Sequence, residues 1–171
     1  NASEIREITG KMKSYTDIKK HKSKIISSIR KFGFSPEHNY YYYAYRQTPS
    51  KKCIFFDFGQ KKGLMALFNK NSNVWYAANE VLAPPEERLD ILFKFLDYAF
   101  ARKKAKKVVV EFGESFRTEV FRKLKDSKYR ASINYSLYWP VYDVKKWDGK
   151  LSGKQWKKFR NIKNRFYGNT R

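Results

Sequence analysis

The apolar positions change period along the chain. Between Glu4 and Phe32 they fall at Ile5, Ile8, Met12 and Tyr15, then at Ile18, Ile25, Ile26 and Ile29. These are helical intervals, so an N-terminal helical segment is expected over 1–35, as two helices or one with a break at Gly10 and residues 19–22, with Gly33 as a stop. From Tyr40 to Ala78 short aromatic and branched runs alternate with turn residues: Tyr40 to Tyr45, Cys53 to Phe58, Leu64 to Phe68 and Val74 to Ala77. Connections this short join neighbouring strands, and an antiparallel meander of four is expected. In this reading Tyr41 and Tyr43 face one side of the first strand and Tyr40 and Tyr42 the other, one pair in the core and the other either packed at a sheet edge, which aromatic residues favour in any strand, or free to stack bases or sugars.

Pro84, Pro85, Glu86 and Glu87 suit a helix start, where a missing N–H costs nothing and the helix dipole favours acids. Leu89, Leu92, Phe93, Leu96 and Phe100 then form a stripe. Lys107 to Phe112 reads as a strand buried mid-sheet, and Glu114 to Lys125 as an amphipathic helix. Tyr129 to Val144 reads as a long β run bent at Pro140. Ser152 to Tyr167 reads as a last helix with Ser152 as its N-cap. The sum is an α+β mixed sheet: N-terminal helices, an antiparallel meander, then a β-α-β-α-β half. The expected boundaries are 1–35 for the helical segment, 36–147 for the sheet domain and 148–171 for a basic C-terminal helix.

Composition narrows the function. The 171 residues carry 38 Lys+Arg against 16 Asp+Glu, a formal charge of +22, while 42% hydrophobic and 18% aromatic residues exclude global disorder. Residues 145–171 alone hold ten basic side chains and one acidic. Such a field attracts polyanions, whether RNA, DNA, anionic lipid head groups or acidic glycans, unless it reflects only a lysine-rich composition that keeps the chain in solution. One cysteine, Cys53, excludes an internal disulfide and a thiolate metal cluster; it reads as a buried hydrophobe and points to a reducing, cytoplasmic setting, free or peripheral to the membrane. No apolar run approaches the roughly 20 residues of a bilayer span. His21 and His38 belong to no catalytic or metal-ligand spacing and are expected at the surface.

The segment from Leu151 to Phe166, LSGKQWKKFRNIKNRF, resembles a basic segment of lysylphosphatidylglycerol-synthase-type C-terminal domains, and the element order is that of the N-acetyltransferase-like (GNAT-like) fold. Val81 to Glu86 and Lys106 to Val144 follow the same succession. The resemblance implies an aminoacyl- or acyltransferase using an aminoacyl-tRNA or acyl donor on a lipid or peptide acceptor. It also implies two tandem GNAT-like units, this chain corresponding to the N-terminal one. Two departures qualify the match: residues 79–84 read Asn-Glu-Val-Leu-Ala-Pro where lipid-modifying members have a Gly-Asp-Pro-like loop, and the second unit expected after Arg171 is missing from this sequence, so the chain is expected to be an N-terminal half. Read from the residues alone, no acetyl-CoA pyrophosphate loop precedes either middle helix, which disfavours a CoA-dependent acetyltransferase.

The residues themselves leave two functions open. Glu80, Glu111 and Glu114 stand at strand ends, where a desolvated carboxylate could act as a general base and a salt bridge is the plainer alternative. In the final helix, Trp156, Phe159, Ile162 and Phe166 share a face expected to dock on the sheet. Lys154, Lys157, Lys158, Arg160, Asn161, Asn164 and Arg165 would then be turned to tRNA or another polyanion, or would form only a solvated face.

Overall fold

The computed structural model describes residues 6–8, 12–136 and 149–168, which fall into two compact units, 1–131 and 132–171. The first unit contains β1 (Arg6–Ile8), β2 (Met12–Tyr15), α1 (Lys22–Phe32), α2 (Tyr40–Tyr45), β3 (Lys51–Asp57), β4 (Gly63–Asn69) and β5 (Val74–Ala77). These are followed by α3 (Pro85–Asp97), a π-helical turn (Tyr98–Arg102), β6 (Lys107–Val110) and α4 (Glu114–Lys125). The strands form one mixed sheet in the order β1-β2-β3-β4-β5-β6. Every neighbouring pair is antiparallel except β5 and β6, which run parallel from Val74↔Lys107 to Ala77↔Val110.

Helices cover both faces of the sheet. On one, Ile54, Phe56, Leu64, Ala66 and Trp75 join Ile91, Leu92, Phe95 and Leu96 of α3 and Phe116 and Val120 of α4. On the other, Tyr15, Cys53, Phe55, Met65 and Leu67 pack with Ile25 of α1 and Tyr40 and Tyr43 of α2. This double coverage explains why β3 and β4 read as unbroken apolar runs instead of alternating ones. Cys53 is the small buried side chain its strand suggested, and burial pushes its thiol pKa up.

Two stretches fold against their sequence pattern. Residues 6–8 and 12–15 are strands, not helix: β2 pairs Ser14 with Phe56 and Tyr15 with Phe55, giving β3 its second neighbour. Over so few residues, spacings of three and four do not separate helix from strand, and the tertiary pairing decides. Residues 12–32 therefore belong to the sheet and its core and are not an appended segment. Tyr40–Tyr45 is a helix, not a strand. Its N-cap Asn39 accepts the Tyr41 N–H at 2.9 Å, and Tyr40 and Tyr43 turn inward at helical spacing while Tyr41 and Tyr45 point out.

The helix starting at Pro85 forms as expected, but its buried stripe is Ile91, Leu92, Phe95 and Leu96, and of the expected stripe Leu89, Phe93 and Phe100 are only half-buried. Lys107–Val110 does form a strand, but it lies last in the order of described strands and is only half-buried. Residues 129–136 carry no strand, and the rest of the predicted long β run, with its bend at Pro140, lies outside the described residues. In the second unit a 3-10 turn (Lys154–Trp156) leads into α5 (Lys157–Gly168). The residue that precedes the turn is Gly153, at φ +84°, in place of the expected Ser152 cap.

Candidate functional site

The carboxyl ends of the parallel pair form a polar cluster. The ladder runs on to Glu111, whose N–H donates to the Ala77 carbonyl at 2.9 Å, and then the two chains part. Residues after Ala77 turn back, and Leu82 and Gly63 exchange backbone hydrogen bonds of 2.8 and 2.9 Å. The other chain enters α4 at Gly113. Into the opening projects Glu80, 8% exposed. Its Oε1 accepts the Gly113 N–H at 2.7 Å, and its Oε2 meets the Arg88 guanidinium at 3.4 Å. Arg88 also donates Nε to the Ala83 carbonyl at 3.0 Å and lies 4.2 Å above the Phe34 ring.

His38 joins the same cluster and is buried, contrary to the surface position expected for it. Its Nδ1 accepts the N–H groups of Phe34 and Ser35 at 3.2 and 3.1 Å, and its Nε2 lies 2.9 Å from the Glu80 carbonyl oxygen. A carbonyl can only accept and an N–H can only donate, so the ring is the neutral tautomer carrying its proton on Nε2. Burial, which disfavours the charged ring, lowers its pKa and outweighs the Glu80 carbonyl, which raises it. Asn79 completes the tie by donating Nδ2 to the Glu37 carbonyl at 3.2 Å. The loop before α2 is thus fastened to the segment after β5 by buried hydrogen bonds.

The three acids singled out from sequence are separated by this geometry. Glu80 has both oxygens engaged, one by a backbone amide and one by a guanidinium, and acts as a clamp between the segment after β5 and the start of α4. Glu114 has a side chain 87% exposed and pairs with Arg117 at 3.1 Å on its own helix, so it is not desolvated as a general base would need. Glu111 alone is half-buried in the parting of the strands, close enough to Tyr42 and Tyr43 for its charge to raise their phenol pKa values beyond the larger effect of burial. Sequence reasoning passed over Arg88 and His38. A charged residue inside the Glu-Glu-Arg helix start and a histidine in a polar loop look like solvated surface until the fold brings them together.

The basic C-terminal residues belong to the second unit. Lys154, Lys157, Lys158, Asn161, Lys163, Asn164 and Arg165 are exposed. Arg160 differs: its guanidinium donates to the carbonyls of Leu151 and Gly153, the latter at 2.8 Å, and so braces the turn ahead of α5. Ile162 is 57% exposed and Phe159 36%, while the Trp156 and Phe159 rings contact each other at 5.6 Å. No acidic residue occurs between Gly149 and Arg171, so these cations have no carboxylate partner within their own segment.

No helix among the described residues is long and apolar enough to cross a membrane, and none of their His, Cys, Asp and Glu side chains group in threes that could hold a metal ion. Comparison of the chain with protein-family models, with curated proteins and with solved structures gave no match.

Proposed function

We propose that this chain is a GNAT-like unit of the lysylphosphatidylglycerol-synthase type whose own task is to hold RNA, a tRNA in the first instance, for an aminoacyl- or acyl-transfer reaction. The observation that carries the proposal is the α5 surface: a helix with exposed lysines and amides and no acid in its segment, the donor set that phosphate oxygens take. The GNAT-like part is supported by the order of elements. An antiparallel meander passes through β5 and α3 to a parallel β6 and then α4, and the parallel pair parts at its carboxyl end. The clamped state of Glu80 and the solvated state of Glu114 favour a holding role over a chemical one.

The test is binding of bulk tRNA to the whole chain over a salt series. Replacing Lys154, Lys157, Lys158, Lys163 and Arg165 by Ala, with Arg160 kept to preserve the turn, should lower affinity and flatten the log K against log salt slope by about 3. An unchanged slope removes the proposal. Phosphatidylglycerol vesicles competing for the same five residues, with tRNA unaffected, would transfer the surface to an anionic membrane.

Glu111 favours a second reading, in which the parting of β5 and β6 is itself a transfer site and this half-buried carboxylate serves as its base. Glu111→Gln would then abolish transfer from an aminoacyl donor while leaving tRNA affinity intact.

A further inference from the structure

We infer a second nucleic-acid contact, on α2, where unpaired bases stack on Tyr41 and Tyr45. It goes beyond the proposed role of α5: it is a different surface with a different chemistry, and shares with that role only the assumption that the ligand is RNA. Tyr45 is 82% exposed and Tyr41 48% exposed, although phenol rings normally gain by burial. They sit at i and i+4 with centroids 6.0 Å apart and planes inclined by only 21°, so their faces make one aromatic platform on the outside of the helix.

The platform is bordered by positive charge. Lys22 donates from Nζ to the Tyr41 hydroxyl at 2.8 Å and lies 4.8 Å from that ring's centroid, so the cation is fixed at the platform edge. Past the end of α2, a shallow groove is lined by Lys19, Lys51 and Lys52. The groove contains one carboxylate, Asp17, which is occupied in capping the Lys20 backbone N–H at 3.1 Å. One lysine at the rim of two stacked faces and three more in the groove past the helix end match a single strand, whose phosphates follow the cations while bases lie on the rings without regard to sequence. A neutral sugar would use the rings but gain nothing from the lysines, and a duplex keeps its base faces covered.

The test is fluorescence anisotropy of the whole chain with an oligouridylate of about ten nucleotides, inorganic polyphosphate and a cello-oligosaccharide as separate probes. Replacing both Tyr41 and Tyr45 by Ala should weaken oligouridylate binding at least about tenfold and leave polyphosphate binding unchanged, while the corresponding double Phe variant stays near wild type. Both positions are exposed, so unaltered circular dichroism and melting temperature confirm the fold. Equal weakening toward polyphosphate, no weakening, no oligouridylate binding by wild type at low salt, or tyrosine-dependent binding of the sugar alone would each overturn the inference. The five-residue α5 variant separates the two proposals: the loss caused by the tyrosines should persist in its background.

Discussion

The Glu80 carboxylate accepts the backbone N–H of Gly113 at 2.7 Å, tying the segment after β5 to the first turn of α4 across 33 residues of chain. The bond lies where two parallel strands stop sharing a ladder, so one side chain replaces the backbone pairing that ends there. A negatively charged acceptor also suits the amino end of a helix.

Removing that acceptor should cost stability out of proportion to the atoms lost. Glu80→Ala leaves an amide without its partner and the mostly buried Arg88 guanidinium with only a carbonyl, and about 2–4 kcal/mol is expected from urea unfolding. Glu80→Gln keeps an oxygen for Gly113 and should cost less. A loss below about 0.5 kcal/mol for the Ala variant would show that the clamp contributes nothing.

His38 makes stability depend on pH in a definite direction. Its folded pKa lies below the unfolded value of about 6.5, so the unfolded chain takes up protons first as pH falls. The stabilisation is complete above about pH 6.5 and is lost on acidification from there toward the folded pKa. The urea midpoint should fall between about pH 7.5 and pH 5.5 by more in wild type than in His38→Gln, which does not titrate. Parallel curves would exclude His38 as the source.

Gly63 opens β4 directly beneath Phe55. A Cβ at this position would lie 2.4 Å from the ring and 2.9 Å from the Phe56 carbonyl oxygen, and Phe55 is fully buried. Gly63→Ala should destabilise by about 2–3 kcal/mol, read as a lower melting temperature with retained helix and sheet signals.

Arg160 should behave differently from its basic neighbours. Arg160→Ala leaves the Leu151 and Gly153 carbonyls without their donor, so amide exchange in α5 should accelerate, as read by mass spectrometry. The salt dependence of tRNA binding should stay as in wild type. A slope reduced as much as by Lys157→Ala would make Arg160 a phosphate contact instead.

The sequence was most legible where one physical signal acted alone. The Pro-Pro-Glu-Glu start and the stripe of α3 predicted that helix correctly, and turn residues marked the ends of β3, β4 and β5. Residues 6–8, 12–15 and Tyr40–Tyr45 were misread because short apolar runs fit both periods; the pairing of β2 with β3 and the Asn39 cap are facts of the assembled chain. The strand-end cluster was partly visible, since Glu80 and Glu111 stood out by position. What Glu80 touches depends on an arginine eight residues on and a glycine 33 residues on, and no local pattern carries that information.

Double coverage of the middle strands has a kinetic consequence. Helices close both faces of β3 and β4 over their buried residues, β2 covers the outer edge of β3 at residues 55–57 and β5 that of β4 at residues 67–69. The amides paired between these two strands should exchange with deuterium only when the first unit opens as a whole, so the buried strand residues 53–57 and 63–67, and not the exposed turn between them, should be the last to label and should report its global unfolding free energy.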